Sequence, residues 1–405
     1  MLLFWLSVVW IIYVYVGYPL TLWLCARRRS AAVTLACKPQ ILQQAIAGPD
    51  SWPSVTIVIA AFNEAKSIRA TLENKLALDY PASRLAICVV SDASDDGTDA
   101  LVQDVIDQCA GRDPTATAPP SPKITLLRQA QRSGKTDALN AALEQVCTDL
   151  VVMCDANSLY EPHGLKHLVT AFNDPTVGYV TGRQVLIDCE GQIIGDGSSA
   201  LMRYENWLRT LENRCGGVVG VDGGMDAIRT ALYEPLRADQ LPDFVQPLKV
   251  AEKGYKVLFE PRAVVMEAPN SSAQDEWRMR VRVATRAFHA LNDLRHLLNP
   301  VRHPGLAFRL GSHKLLRYLA FIPLFALLLS SAALVGHSWI YPLAFVGQLV
   351  FYAGALWGYL NPVQVSQRRL VAIAYYFTLL NGAFAGGFWR FIRGKRTVIW
   401  APRKG

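Results

Sequence analysis

VTIVIAAFNE, residues Val55 to Glu64, is a near-continuous apolar run that ends abruptly in Asn63 and Glu64. A run without polar alternation suits a strand buried on both faces, as in a parallel sheet covered by helices. Reading outward, the pattern repeats. Residues 64–78 predict a helix and Leu85–Val90 a second apolar strand, which ends at Ser91-Asp92. Gly97–Cys109 predicts a helix started by Asp95 or Asp96, and residues 111–122 form a Pro-rich loop. Ile124–Leu127 predicts a third strand, Lys135–Gln145 a helix and Leu150–Cys154 a fourth strand. Alternation of this kind gives an α/β fold with a mainly parallel sheet. Ligands in such sheets bind beyond the carboxyl ends of the strands. Four polar markers fall at four such ends: Glu64, Asp92, Lys135 and Asp155.

The two ends of the chain read differently. The 405 residues are 51% hydrophobic, and the mean hydropathy is +0.18. The excess lies outside the α/β region. Residues 2–25 carry no charge and are followed by Arg27-Arg28-Arg29. That run can cross a hydrocarbon core of about 30 Å at about 1.5 Å per residue. A cleaved signal peptide would carry a leading charge and a shorter apolar run. The arginines place the following domain on the cytoplasmic side, and an integral membrane protein of a bacterial inner or plasma membrane is expected. Further apolar stretches lie at 318–336, 339–360 and 370–390. Three crossings from a cytoplasmic domain would put the basic tail Arg393-Gly394-Lys395-Arg396 outside, against the charge rule. Asn381, Gly382, Gly386 and Gly387 mark the last stretch as a candidate re-entrant or interfacial segment.

Between these regions, residues 275–298 repeat Val281, Ala284, Phe288, Leu291, Leu294 and Leu298 at helical spacing. This pattern fits an interfacial helix lying along the bilayer, or a surface helix of the soluble domain. The expected organisation is therefore a span over 1–26, a linker over 27–54 and an α/β domain over 55–270. Interfacial helices over 271–315, apolar segments over 316–392 and a basic tail over 393–405 complete it. The net charge of +8 suits anionic membrane lipids, and no nucleic-acid motif is present. The eight cysteines form no CxxC pair, which argues against a zinc site and for a reducing compartment.

The polar motifs carry recognisable chemistry. Asp155-Ala-Asn157 sets two oxygen-bearing side chains at a strand end, a pattern suited to Mg²⁺ or Mn²⁺ and equally to a helix cap or Asx-turn. The acidic run SDASDDGT, residues 91–98, suits a base or ribose better than a phosphate. Gly134-Lys135 places a flexible residue and a cation at a helix start, suited to phosphate. The turn Val219-Gly220-Val-Asp222-Gly223-Gly224 permits close approach by a sugar.

The series VIAAFNE (58–64), SDASDDGT (91–98), RSGKTDALN (132–140), DAN (155–157) and LPDFVQPLKVAEKGYKVLFEP (241–261) resembles the family 2 glycosyltransferases. The resemblance runs from about Val55 to Arg286. With its flanking apolar segments, the chain looks like the membrane-integrated branch that includes cellulose, chitin, hyaluronan and poly-N-acetylglucosamine synthases. The resemblance implies a GT-A fold and inverting transfer from a nucleotide-sugar, a UDP-sugar above others. It implies an acceptor that is a saccharide or a lipid-linked one, or alternatively polyprenyl phosphate. It gives Ala61, Glu64, Asp92 and Lys135 donor-binding roles. Asp155 becomes a donor and metal ligand with Asn157 beside it, where the family usually has a second aspartate. Asp243 becomes the general base, with Pro242 replacing the usual preceding acid. Asp222 and Gly223 fall on the acceptor side. Processive members carry Q(Q/R)xRW, and here 35 residues separate Asp243 from the aligned Met279-Arg280-Val281-Arg282-Val283. Arg280 and Arg282 would hold the donor diphosphate. Val283 cannot offer the stacking face of the missing tryptophan, so processive polymerisation is in doubt. A membrane scaffold or transporter that only senses nucleotide is the reading of a different class. The near absence of charge within the apolar segments speaks against transport.

Overall fold

The structure is a computed structural model, which describes residues 1–34, 52–111, 121–187, 197–268, 273–361 and 368–399. Most of the 27–54 linker and of the Pro-rich loop, and the end of the tail, lie outside the described residues. In chain order, α1 (Leu2–Ile12), a π-helical turn (Tyr13–Gly17) and α2 (Tyr18–Thr34) precede the α/β region. That region begins β1 (Val55–Ala61), α3 (Ile68–Leu76), β2 (Leu85–Ser91), α4 (Thr98–Ala110), β3 (Lys123–Arg128), α5 (Lys135–Leu143) and β4 (Leu150–Asp155). It continues β5 (Leu159–Tyr160), α6 (Gly164–Thr170), β6 (Val177–Leu186), α7 (Gly197–Arg214), β7 (Met225–Arg229), α8 (Pro242–Glu252) and β8 (Lys256–Glu267).

All seven residues of β1 are buried, because helices cover both of its faces. Val55, Ile57 and Ile59 pack with Ile68, Leu72 and Val102 on one side. Val58 and Ala60 pack with Ala138, Leu139 and Ala142 on the other. Each large apolar side chain buried in this way contributes roughly 1.5–3 kcal/mol. The sheet has eight strands in the order β3-β2-β1-β4-β7-β6-β8-β5. β1 to β4 are mutually parallel, and β6 and β8 are parallel to each other. β7 runs antiparallel to both of its neighbours. Register sets Ala61 beside Ser91, Ala60 beside Asp155 and Ser91 beside Arg128, so these strands end along one edge. Because β7 is reversed, its N-terminal approach, Gly223-Gly224, reaches that same edge.

After β8 come α9 (Ala273–Asp293), α10 (Pro304–Arg309), the helical turn α11 (Leu316–Tyr318), α12 (Phe321–Ala333), α13 (Ile340–Leu360) and α14 (Arg369–Ile392). The apolar stripe of α9 is covered by protein. Ala287, Ala290, Leu291 and Leu294 pack with Phe244, Val245 and Leu248 of α8, while Phe288 meets Phe388 and Phe391 of α14.

Among the described residues, three single helices are long and apolar enough to cross a membrane: Leu2–Arg28, Ile340–Leu360 and Arg369–Ile392. The stretch read as a span at 318–336 holds α12, whose 13 residues are too few to cross a core of about 30 Å alone at about 1.5 Å per residue. It passes as a span together with Pro304–Tyr318, from which it is bent by 52°, as a broken span or a re-entrant loop. The glycines of the last stretch do not break it, since α14 is continuous over 24 residues. They admit α9 instead: a Cβ on Gly387 would stand 2.6 Å from that of Ala284, and one on Gly382 would stand 3.1 Å from the Trp277 ring. The tail then returns to the α/β domain. His289 Nε2 lies 3.1 Å from the Lys395 carbonyl, Arg396 pairs with Asp239, and Val398 lies against Gly134.

Candidate active site

The site grows from four strand ends. After β1, Asn63 adopts a left-handed backbone. Its amide donates to Asp95 and accepts the Asp95 N–H, at 2.7 and 3.0 Å. The two loops are thereby tied together. Asp96 accepts N–H bonds from Ala65 and Thr98. Burial, which would raise its pKa, is outweighed by the Thr98 hydroxyl, which also donates to it, and then by these N–H bonds, and the carboxyl stays below its ordinary value. Glu64 accepts from the Ser67 hydroxyl at 2.7 Å. The Ala61 carbonyl accepts the Asp92 N–H at 2.9 Å.

Asp92 is buried, and its oxygens accept the N–H groups of Ser133 and Gly134 at 2.6 and 2.8 Å. It therefore fixes the glycine loop that starts α5. Arg132 in that loop lies over the Phe62 ring at 3.6 Å, so the first and third strand ends share one wall.

Lys135, the first residue of α5, joins the two halves. Its ammonium is 2.6 Å from Asp155 Oδ1 and 3.7 Å from Asp243 Oδ2. Burial alone would lower this lysine, yet Asp155 and then Asp243 hold it above its ordinary value. It stays charged across the physiological range. Asp155 offers a hard oxygen beside it, and Asn157 carries another two residues on in the sequence. Among the described residues no group of three or more His, Cys, Asp or Glu converges on a metal position. The donor set fits a divalent cation whose shell is completed by diphosphate and water.

Asp243 sits in the first turn of α8, with Pro242 at the start of the helix. Leu241 occupies the cap position and the helix has no side-chain cap bond, so Asp243 does not serve as the cap. The helix N-terminus favours its negative charge. Oδ1 is buried and has no hydrogen-bond partner among the described residues. Gly223 adopts φ +101°, and a Cβ there would stand 2.8 Å from Asp243 Oδ2. Gly223→Ala is therefore expected to push the carboxylate aside. A misplacement of about 1 Å can cost about 10²-fold in rate. Turnover of the purified variant is expected to fall by that order with donor affinity retained, and near-normal turnover would contradict the placement.

The remaining expectations are met unevenly. Asp222 is engaged by both Nη atoms of buried Arg209, so it is not a free group facing an acceptor. Arg280 pairs with Glu276 one turn back on α9, at 2.5 Å. Arg282 stands one turn before Arg286, which the sequence reading did not single out. Buried Arg286 donates to Thr136 Oγ1 and to the carbonyls of Ala238, Asp239 and Gln240. Burial lowers its pKa to about 10. It thus stitches α9 to the start of α5 and to the turn before α8. Its signal was the four-residue step from Arg282.

Two buried groups also escaped. Lys75 donates to the Ser158 carbonyl at 2.7 Å and lies 3.6 Å from the Tyr160 ring centroid. With Thr71 bonded to Ala156 and Asn74 to Tyr160, it clamps the loop that carries Asp155 and Asn157. Burial lowers Lys75 to about 8. Asp226 on β7 is wholly buried. Burial and then the charge of Asp243 raise its pKa well above the ordinary aspartate value.

A model described as "Glycosyltransferase like family 2" matches residues 53–289. The probable glycosyltransferase YdaM of Bacillus subtilis is 28% identical over 249 residues, 57% of this chain and 54% of that protein. A beta-monoglucosyldiacylglycerol synthase of Nostoc is 25% identical over 194 residues, 47% of this chain and 38% of that one. A poly-beta-1,6-N-acetyl-D-glucosamine synthase of Staphylococcus aureus is 23% identical over 243 residues, 58% of this chain and 55% of that one. The chain thus spans about half the length of the curated relatives it matches, or less. Among solved structures, the mannosyltransferase PcManGT of Pyrobaculum calidifontis, in complex with GDP-Man and Mn²⁺, has a similar fold. Its TM-score is 0.69 at 21% identity, covering 97% of this chain and 99% of that one. The matched segment, more than half of the chain, contains Lys135, Asp155 and Asp243, and the chain belongs to the family 2 glycosyltransferases, built on a GT-A fold.

Proposed function

We propose that the chain transfers one sugar, with inversion, from a nucleoside-diphosphate donor to a saccharide or lipid-linked acceptor at a membrane. One observation carries this reading: a single ammonium, Lys135, spans Asp155 on the donor side and Asp243 on the acceptor side. Such a cation can hold a diphosphate while leaving a carboxylate within reach of the acceptor. Asp243 takes the proton of the acceptor hydroxyl as its oxygen attacks the anomeric carbon. The bond from that carbon to the diphosphate breaks, and the nucleoside diphosphate leaves. A divalent cation held by Asp155 and Asn157 would neutralise the charge growing on the leaving group. UDP-sugars are the expected donors on the motif pattern. The structural relative solved with GDP-Man and Mn²⁺ makes GDP-sugars the first alternative to screen. Release of nucleoside diphosphate with glycosylation of an added acceptor tests the reading, and no release from any donor would overturn it.

The same reading places the α/β domain and the tail on the cytoplasmic side. The contacts of Lys395 with His289 of α9 and of Arg396 with Asp239 support one side for both. With the bent pair Pro304–Tyr318 and α12 taken as re-entrant, α13 and α14 cross as a pair and return the tail to that side. Cys147 is exposed, and Arg393→Cys adds a thiol on the tail. Neither is expected to react with an impermeant thiol reagent in intact cells, and both are expected to react after permeabilisation. Labelling of either site in intact cells would contradict this arrangement.

A further inference from the structure

The loop that carries Asp155 and Asn157 and the turn that touches Asp243 come from different parts of the chain, and one side chain joins them. Tyr160, in β5, is fully buried. Its hydroxyl donates to the Gly224 carbonyl at 3.0 Å. The nearby Cys154 thiol is a far weaker acceptor than a carbonyl. Gly224 follows Gly223, on which a Cβ would stand 2.8 Å from Asp243 Oδ2. The turn has no slack on its other side, since a Cβ on Gly224 would stand 2.5 Å from Glu267 Oε1 and 3.0 Å from Ser158 Oγ. Ser158, next to Asn157, donates to Glu267, which also accepts from Gln184 at 2.7 Å.

Tyr160 is itself gripped by α3. Asn74 bonds its N–H and its carbonyl at 2.7 and 2.9 Å. The Lys75 ammonium lies 3.6 Å from its ring centroid while donating to the Ser158 carbonyl. A continuous path of contacts therefore runs from α3, through the loop after Asp155, to Gly224, Gly223 and the Asp243 carboxylate. Rates of transfer are sensitive to displacements of about 1 Å in a reacting group, so such a path has a use. We propose that Tyr160 is a positioning residue, whose hydroxyl keeps the acceptor-side turn, and through it Asp243, in register with the loop that carries Asp155. The inference rests on the transferase reading above. Because Tyr160 is enclosed by protein, it acts through Gly224 and not on substrate.

Tyr160→Phe keeps the ring and its contact with Lys75 and removes only the hydroxyl. Its kcat is expected to fall about tenfold, the scale of a buried carbonyl left without its donor. The donor KM and the Mn²⁺ requirement are expected to change less than about twofold. In a Gly223→Ala background, where the carboxylate is already displaced, the same substitution is expected to cost less than about twofold, because residues acting through one contact are not additive. Gly224→Ala crowds Glu267 and Ser158, shifts the turn from its other side and is expected to show the same kcat-selective loss. An equal loss from Tyr160→Phe in both backgrounds, a loss carried by the Mn²⁺ requirement, or an unchanged kcat in either single variant would overturn the proposal. Amide hydrogen exchange of the full chain without substrate separates this question from the transferase reading. Exchange across residues 222–225 is expected to quicken at least about tenfold in Tyr160→Phe while that of β1 stays the same. That result supports the tie even if no donor is turned over, and unchanged exchange across 222–225 contradicts it even if turnover falls.

Discussion

Asp243→Asn is expected to lower turnover by about 10²–10⁴-fold, the usual cost of removing a general base, while donor affinity changes little. The amide nearly reproduces the shape of the carboxylate but cannot take a proton. Of the two oxygens, Oδ2 faces Lys135, and Oδ1 is buried with no hydrogen-bond partner among the described residues. Pro242 and the helix start hold the side chain in place. The folded state is expected to tolerate the change, because Asp243 caps no helix. Initial rate measured beside nucleotide-sugar affinity separates the outcomes. Near-normal turnover would remove Asp243 from the chemistry. The neighbouring Asp222 would be a poor substitute, since Arg209 already engages both of its oxygens.

The second large effect is expected at Asp155. Asp155→Ala removes the partner 2.6 Å from the Lys135 ammonium and the one carboxylate of the Asp155-Ala-Asn157 motif. Transfer is expected to fall by about 10³-fold or more, on the scale of the several kcal/mol that a metal supplies to a leaving group. Chelator is expected to reproduce the loss in the wild-type protein, and Mn²⁺ or Mg²⁺ to reverse it there but not in the variant. Asn157→Asp restores a second charge at the strand end and is expected to bind Mn²⁺ more tightly. Full wild-type activity in EDTA would contradict the metal assignment. Circular dichroism on Asp155→Ala guards against a folding defect, because Lys75, Thr71 and Asn74 grip the same loop through its backbone.

The parallel half of the sheet was legible because its strands are buried on both faces. Val55–Ala61, Leu85–Ser91 and Leu150–Asp155 leave no polar alternation to mislead a reader. β5, β6, β7 and β8 were less legible. β6 and β8 carry half-exposed or exposed positions, and β7 is five residues long with Asp226 inside it. The site was legible where a motif ends a strand, as at Asp92, Lys135 and Asp155. It was not legible where burial decides the role. Asp92 reads as a nucleotide contact, yet in the fold it also braces the Ser133-Gly134 backbone. Arg286, Lys75 and Lys314 look like ordinary surface cations until packing encloses them. The α9 stripe shows the same limit, because an apolar helix face does not state whether lipid or protein covers it. Here α8 and α14 cover it.

The central claim is inverting transfer of a sugar with Asp243 as base. Its most direct measurement is the anomeric configuration of the product formed by purified protein with Mn²⁺. An α-linked nucleotide-sugar donor is expected to give a β-linked product by NMR, and Asp243→Asn is expected to give almost none. An α-linked product, or a product formed equally well by Asp243→Asn, would contradict it.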